Sequence, residues 1–362
     1  LKSIQMIWKN FKATIIVAIV CLMSAFIWGI YKSPEQGIIA GFSAIWIALI
    51  LAIFECTMSL DNAIVNASIL KHWNKFWKML FLTVGIIVAV FGMRLIFPIA
   101  IVSVTADMSM IDTVKLALDN PVEYSTKLLE NHISIAAFGG MFLWLVFANF
   151  LFDSEKEIFW LGKGEEFLAK LGDIPFISYI SAIALLLGIY SFVPLNIGNE
   201  ISYAGMVGIG IYFAVQFLGF VLEKFTGSTE EESEANSQLA TGTVKAGIGG
   251  FLYLELLDAS FSFDGVVGAF AITNDIIIIM LGLTIGAMAV RCLTIYLVNE
   301  GTLDNYRYLE HGAMYAIGAL ALILLFSGFV HLPEVVVGLI GIVIIGIAFY
   351  QSIQANKIQL KS

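Results

Sequence analysis

Ten stretches of roughly 20 apolar residues divide this chain and leave little sequence between them. With 59% hydrophobic and 13% charged residues, the chain lies outside the composition of soluble domains, which are about 25% charged. Stretches of this length can cross a bilayer as helices. The sequence therefore predicts an all-α, polytopic membrane protein of about ten transmembrane helices. The stretches lie near 14–31, 38–70, 79–104, 132–152, 175–195, 204–222, 246–273, 276–299, 312–330 and 334–354.

The remaining sequence is too short for a soluble domain, so we expect one membrane domain over 1–362. The largest polar stretches are 105–131, 153–174 and 223–245. The last contains Ser228-Thr-Glu-Glu-Glu-Ser-Glu234, whose composition is typical of a flexible acidic linker. No small-residue cleavage motif follows the first apolar stretch, so we expect it to be retained as a helix rather than removed as a signal peptide.

The positions of the Lys and Arg residues predict the orientation. With the N-terminus inside and ten spans, 14 of these residues lie on the inner side and three on the outer side. Two more, Arg94 and Arg291, lie within apolar stretches. Cytoplasmic loops are enriched in Lys and Arg. We therefore expect both termini in the cytoplasm of a protein embedded in the lipid bilayer of a bacterial inner (plasma) membrane, with no nucleic-acid partner.

An acidic pattern occurs twice within the apolar stretches. Glu55-Cys-Thr-Met-Ser59-Leu-Asp61 and Asp258-Ala-Ser-Phe-Ser262-Phe-Asp264 lie 203 residues apart. An acid at membrane depth costs roughly 2.5 to 3.5 kcal/mol on insertion scales, so repeated acids there indicate function. In the predicted topology the two stretches cross the bilayer in opposite senses.

This arrangement predicts an inverted repeat of three helices. The first repeat would cover 38–152 and the second 246–330, with intervening helices over 175–222 and the acidic linker over 223–245. Arg94 and Arg291 extend the match between the halves. In transporters built from inverted repeats, the substrate binds near the midplane between the repeats.

The repeated acids form two oxygen-rich stripes, one on each motif helix. Glu55, Ser59 and Asn62 share a face of the first helix, and Glu255, Asp258 and Ser262 share a face of the second. Carboxylate, hydroxyl and amide oxygens suit Mg²⁺, Ca²⁺ or Mn²⁺. The absence of His from both motifs and of any Cys pair argues against zinc or copper. The candidate metal ligands are Glu55, Asp61, Asn62, Glu255, Asp258 and Asp264, supported by Ser59, Ser262, Arg94 and Arg291.

Asp61 and Asp264 do not align with these stripes. Each lies about 120° from its stripe on a regular helix. Either each helix breaks just before the aspartate, or the aspartates face a different neighbour. Gly265 and the pair Gly249-Gly250 favour a break in the second half, whereas the first half carries no such signal.

The charge balance leaves two alternatives for a metal site. Five acids and two arginines give a residual charge near −3, so either some acids are protonated in the empty site or two cations bind. The first case predicts exchange of metal for protons. A purely structural alternative is that Arg94 and Arg291 pair with acids to pin helices together.

The motifs resemble the signatures of the TerC family of integral membrane proteins. Glu55 to Asn62 resembles the first signature, and Leu254 to Asp264, continuing to Arg291, resembles the second. The resemblance covers roughly 40–330 and implies a divergent branch of the LysE-like superfamily, in which manganese export is an associated function. It also implies that the six candidate ligands form the metal site. Gly265-Val266-Val267 departs from the usual Ser-Ile-Pro, which affects the geometry of the second half-site.

Together, the acidic motifs and the resemblance predict a membrane transporter of a divalent metal cation, Mn²⁺ or Ca²⁺, rather than an enzyme, and export is the direction that the resemblance alone implies. The ion is the substrate, and no organic cofactor is expected. One alternative is a non-transporting membrane scaffold or metal sensor. Another is an intramembrane aspartyl protease that uses Asp61 and Asp264, although the Gly-x-Gly-Asp motif of such enzymes is replaced here by Phe261-Ser-Phe-Asp264.

Overall fold

The protein is all-α, as the sequence predicts. The computed structural model describes residues 2–226, 246–299, 306–329 and 332–359, and this part of the chain contains helices, turns and bends but no strand. Residues 227–245, which hold most of the predicted acidic linker, lie outside the described residues.

The helices follow one another with short connections. The first half contains α1 (Lys2–Lys32), α2 (Ile38–Met58), α3 (Leu60–Leu70), α4 (Lys75–Ile87), a π-helix (Val88–Ile96), α5 (Phe97–Thr105), α6 (Met110–Asp119), α7 (Pro121–Glu130) and α8 (His132–Leu151). The second half contains α9 (Lys163–Lys170), a 3-10 turn (Leu171–Asp173), α10 (Ile177–Phe192), α11 (Leu195–Thr226), α12 (Ile248–Ile272), α13 (Ile276–Asn299), α14 (Leu309–Phe326) and α15 (Glu334–Gln359).

The membrane character of the chain follows from these helices. In the described ranges, eight helical segments are long and apolar enough to span a bilayer, and a ninth results if the pair formed by 163–173 and 177–192, bent by 108°, is one span. Helix α12 falls outside this count, although its 25 residues are long enough to cross, because it carries three acids. Each of the ten predicted stretches contains a helix.

The first motif helix is broken, and the second is not. Ser59 leaves the helical conformation, with φ −109° and ψ 17°, and thereby separates α2 from α3. Helix α12 runs without interruption through Gly265. The expected break in the second half is therefore wrong.

Close packing explains the glycines that suggested this break. A Cβ on Gly265 would lie 2.9 Å from Glu55 Oε2, and a Cβ on Gly249 would collide with the backbone of Gly219 in α11. These glycines thus allow neighbouring groups to approach α12 rather than interrupt it.

Helix α13 approaches α2 through a second pair of glycines. A Cβ on Gly282 would lie 2.8 Å from the Ala48 carbonyl oxygen, and a Cβ on Gly286 would lie 2.8 Å from that of Ala52. The spacing Gly-x-x-x-Gly is the pattern that lets membrane helices approach closely, and it is a signal that the sequence analysis missed. This contact positions α13 directly beside Glu55, whose side chain also borders Gly286.

Two large apolar clusters form most of the core, beside a small third one around Ala52. The larger joins α3, α8, α11, α12 and α14, and includes Phe142, Leu254 and Ile317. The smaller joins α2, α5, α7, α12 and α13 around Tyr124 and Phe270. The polar residues described next lie where α2, α3, α12, α13 and the π-helix meet.

Candidate functional site

A group of buried polar side chains lies inside the helical bundle. All of its members have less than a tenth of their surface exposed. We call this group the central cluster: Glu55, Ser59, Asn62, Asn66, Arg94, Glu255, Asp258 and Arg291.

One side of the central cluster is a closed ion pair. Arg94 Nη2 donates to Glu55 Oε1, and Ser59 Oγ donates to the same oxygen at 3.0 Å. Arg94 lies in the π-helix, and its Nη1 donates to the carbonyl oxygen of Ala89 at 2.8 Å. π-Helical segments occur frequently at functional sites. The position of Arg94 in such a segment therefore supports a functional role for the central cluster.

The two oxygen-rich stripes meet at Asn62 and Asp258. Asn62 Nδ2 donates to Asp258 Oδ1 at 2.5 Å, and Asn66 Nδ2 donates to Asn62 Oδ1 at 2.8 Å. The second bond fixes the orientation of the Asn62 amide, so that its NH₂ group faces the carboxylate. The break at Ser59 precedes this contact by three residues.

The second arginine is held less tightly by its acid than the first. Arg291 Nη2 lies 3.9 Å from Asp258 Oδ2, beyond hydrogen-bond distance, and makes no hydrogen bond to any described residue. Its Nη1 donates to the Phe81 carbonyl oxygen at 3.0 Å, and the guanidinium lies over the Phe81 ring. The Asp258–Arg291 pair is therefore open, whereas Glu55–Arg94 is closed.

Glu255 is the least satisfied acid of the central cluster. It is 4% exposed, and neither of its oxygens accepts a hydrogen bond from any described residue. Its carboxylate faces Gly85 of α4, where any Cβ would collide with Oε1 and would lie 3.2 Å from Arg291 Nη1. Glu255 thus lies near Arg291 without a directed contact, in a site where an unpaired acid is costly.

A small cavity opens within the central cluster. The cavity has a volume of about 20 Å³, which is enough for one or two waters or a bare ion. Its lining residues include five whose side chains carry oxygen: Ser59, Asn62, Asn66, Asp258 and Thr294. Asp258, Arg94 and Arg291 are the charged residues that line it. The whole central cluster contains three acids and two arginines, so it carries one excess negative charge when all are ionised.

Asp61 points away from the central cluster. It borders a separate cavity of about 10 Å³ between α3, α12, α14 and α15, which is lined otherwise by apolar residues and glycine. Its Oδ1 accepts from the Asn62 backbone N–H at 3.0 Å, and Oδ2 faces Gly341. The break in the helix and a different neighbour, given as alternatives above, thus both apply to Asp61.

The remaining candidate ligands are only partly described. The side chain of Asp264 lies outside the described residues. Ser262 is buried, and its Oγ makes no hydrogen bond within the described ranges. In that same part of the chain, no three His, Cys, Asp or Glu side chains are placed to hold a metal ion together. The six-ligand metal site therefore stays a prediction.

A second buried ionic cluster was not predicted from the sequence. Lys156 Nζ lies 3.0 Å from Glu165 Oε1 and 3.7 Å from the centre of the Phe150 ring. His311 of α14 lies against the same carboxylate at 3.7 Å, and its Nε2 contacts the Ile158 carbonyl oxygen. Burial lowers the pKa of Lys156, although Glu165 counteracts this effect. These residues fasten 152–174 to the bundle.

Polar composition concealed this cluster. Lys156 and Glu165 belong to the stretch 153–174, where charged residues are by default solvated, and His311 lies near a helix end. The spacing of nine residues between Lys156 and Glu165 carries no periodic signal that they meet.

The family of the chain is shown by one comparison. A model of the family described as "Protein of unknown function (DUF475)" matches residues 60–359, which is most of the chain. The chain belongs to the DUF475 family. The matched range of this DUF475 protein includes most of the central cluster but begins after Glu55 and Ser59.

Other comparisons add no relative. No curated protein matches the DUF475 chain. No solved structure matches it either. The resemblance to the TerC family stays a prediction.

Proposed function

We propose that this protein transports a divalent cation across the membrane, with Mn²⁺ or Ca²⁺ as the substrate and the central cluster as the substrate site. Glu255 and Asp258 would provide the first oxygen ligands, and Asn62 would join them once its amide turns its oxygen towards Asp258. Export is the direction that the TerC resemblance implies. Transport, rather than catalysis, is the proposed role of the buried acids.

The observation that carries this proposal is the state of Glu255. Its buried carboxylate accepts no hydrogen bond from the described residues, so it loses little by binding a cation. It lies near Arg291, which lines the polar cavity and forms only an open pair with Asp258. Structural acids in membrane interiors are instead paired. The one excess negative charge of the central cluster also favours a cation as its ligand.

The arrangement also supports exchange between cation and proton. A divalent cation would exceed the excess charge of the central cluster. If one acid is protonated in the empty cluster, loss of that proton limits the charge added by the cation to one unit, and movement of an arginine away from the cluster would remove that remaining unit. Glu255 is the group best placed to lose such a proton, because no described hydrogen bond holds it in one state.

Each of the two acid–arginine pairs can be either closed, with a hydrogen bond, or open, without one. Glu55 and Asp258 occupy equivalent places in the sequence repeat, as do Arg94 and Arg291. One pair is closed and the other is open. If the halves exchange arrangements, as inverted repeats do in alternating access, the Asp258–Arg291 pair closes when the Glu55–Arg94 pair opens.

Flux measurements with purified protein in liposomes test the proposal. The liposomes enclose a dye that reports Mn²⁺ or Ca²⁺, and a second dye reports pH. We expect Glu255→Gln and Asp258→Asn to reduce cation flux at least about tenfold, the factor that corresponds to 1.4 kcal/mol of lost binding free energy. Asp112→Asn, the same chemical change on exposed α6, is the control and should leave flux unchanged.

The outcome distinguishes transport from the second candidate function, a non-transporting scaffold or metal sensor. The closed Glu55–Arg94 pair favours that second role, because the carboxylate of Glu55, a predicted metal ligand, is already paired with an arginine. If the unmodified protein transports the cation and both Glu255→Gln and Asp258→Asn transport it equally fast, the central cluster is not the substrate site. Absence of flux with every divalent ion tried would favour the scaffold or sensor.

A further inference from the structure

Two short helices, α6 and α7, form a hairpin at the end of the bundle where α5 ends and α8 begins. Each helix has its own N-terminal cap. Ser109 accepts from the backbone N–H of Asp112, and Asn120 accepts from that of Glu123, while the Asp112 and Glu123 side chains bond back to these caps. Such reciprocal caps define helix starts, so the sequence itself specifies the hairpin.

Helix α6 has three faces. At about 100° per residue, Thr113 and Ala117 share one face, which is buried. The charged residues Asp112, Lys115 and Asp119 share a second face, which is exposed. Between these two faces lie apolar residues whose side chains are 39% to 70% exposed. We call them the hairpin stripe: Met110, Ile111, Val114 and Leu118.

The hairpin packs on the bundle through the buried residues of both its helices, and Tyr124 of α7 contacts α12. Ala117 of α6 and Tyr124 and Leu128 of α7 belong to the same apolar cluster as Val266 and Phe270. The rings of Tyr124 and Phe270 lie 6.0 Å apart. The orientation of α6 about its axis is therefore fixed by packing, and the hairpin stripe is exposed because of that packing rather than because the helix is free.

We propose that the hairpin stripe lies in the lipid bilayer at the membrane interface, so that α6 contacts protein on one face, lipid on the second and water on the third. Ile111 is 70% exposed and follows Val104, which is 80% exposed at the end of a spanning segment. Val104 and Ile111 are only seven residues apart in the chain, so the hairpin stripe begins close in sequence to the exposed apolar end of that span. Apolar and charged residues on separate faces are typical of helices in the interface plane.

Helix α7 extends the same surface. Val122 and Leu129 are exposed, lie on one face, and are seven residues apart, while Glu123 and Glu130 beside them are exposed and charged. The proposed contact thus covers both helices of the hairpin. It predicts that these helices stay at the membrane surface while their buried faces cover the end of α12 beyond the central cluster.

Spin labels on the full-length protein in liposomes test this placement. Leu118→Cys and Asp119→Cys are a matched pair, since the two residues are adjacent in the chain but lie on different faces of α6. The native cysteines, Cys21, Cys56 and Cys292, are replaced by Ala in both variants. Collision of the label with apolar oxygen and with a water-soluble nickel chelate is then measured, and Ile111→Cys provides a second site in the hairpin stripe.

Labels at 118 and 111 should collide severalfold more with oxygen, relative to the nickel chelate, than the label at 119. Equal preference for the nickel chelate at all three sites would show that the hairpin stripe faces water and would overturn the proposal. Low collision with both reagents at 111 and 118 would show that a second copy of the chain covers the stripe, which would also overturn it. The size-exclusion profile of each variant confirms that it is folded before labelling.

Discussion

At the scale of single residues, the closed pair and the unpaired acid of the central cluster predict opposite effects on stability. Glu55→Gln leaves the buried Arg94 without its counter-charge. Breaking a buried pair in this way costs about 3 to 5 kcal/mol, so we expect a clear fall in the unfolding temperature of the purified protein. Glu166→Gln removes the acid of an exposed pair with Lys170 and is the control, with an expected loss below about 1 kcal/mol.

Glu255→Gln should behave differently from Glu55→Gln. It removes an ionisable group that no described residue hydrogen-bonds and retains the shape of the side chain. We expect unchanged or higher thermal stability, because an isolated buried charge costs free energy in the folded state. A loss as large as that of Glu55→Gln would show that Arg291 already compensates Glu255, and would remove the main support for Glu255 as a cation ligand.

Asp153, just after α8 and outside the spanning segments, predicts a pH effect. Burial raises the pKa of this carboxyl above its ordinary value of 3.8. When the pKa is higher in the folded state, ionisation of the carboxyl destabilises the fold. This destabilisation is complete at pH values above the folded-state pKa and absent below the unfolded-state pKa. Asp153→Asn keeps the acceptor for the Glu155 N–H. It should therefore raise the unfolding temperature at pH 7, and the gain should disappear as the pH falls to about 3.8.

The residues of the site were predictable where helical periodicity controls them. Spacing alone puts Glu55, Ser59 and Asn62 on one face, and the structure brings that face to Asp258. Spacing could not show which acid each arginine would contact, since this depends on how α2, α12 and α13 pack. The neighbour of Asp61 was equally hidden, because it depends on α14 and α15, which are distant in sequence.

At the scale of helices, the close contact between α13 and α2 depends on two glycines, which have no side chain to keep the helices apart. Gly282→Ala or Gly286→Ala would introduce a Cβ within 2.8 Å of a backbone carbonyl oxygen, and backbone cannot yield as a side chain can. Overpacking of this kind costs about 1 to 3 kcal/mol, so both variants should unfold at lower temperature. Because Gly286 borders Glu55, its replacement should also reduce cation flux.

Gly210→Ala in α11 is the matched control for these two substitutions. A Cβ on Gly210 has no neighbour within 4 Å. Alanine is favoured over glycine in helices by up to about 1 kcal/mol, so the unfolding temperature should stay constant or rise. If all three substitutions have the same effect, helix propensity rather than the approach of α13 to α2 is responsible.

The broken motif helix shows why glycine is an ambiguous signal in a membrane chain. Gly265 and Gly249 favoured a break in the second half, yet both lie at close contacts inside or beside an unbroken α12. The actual break occurs at Ser59, whose hydroxyl bonds to Glu55 four residues earlier. The sequence shows where a glycine lies, but only tertiary packing shows whether that glycine breaks a helix or admits a close neighbour.

At the scale of the whole molecule, hydrophobicity predicted the fold class, because the length of an apolar stretch is a local property. The hairpin of α6 and α7 was not predicted, since its capping pairs lie in a stretch, 105–131, that composition alone marks only as polar. Whether α12 crosses the bilayer decides the topology. Its three acids lower its hydropathy, although its length and its position in the core favour a span.

The side of the membrane on which the turn after α12 lies decides whether α12 crosses. Asn274 is exposed in that turn, between α12 and α13, and Ser154 is exposed after α8. With ten spans and the N-terminus inside, Asn274→Cys should react with a membrane-impermeant thiol reagent on intact cells, and Ser154→Cys only after permeabilisation. The unmodified chain, whose three cysteines lie in spanning helices, measures the background. Reaction of Asn274→Cys only after permeabilisation would mean that α12 returns to the side it came from. The two acidic motifs would then not cross the bilayer in opposite senses, and the inverted repeat would be refuted.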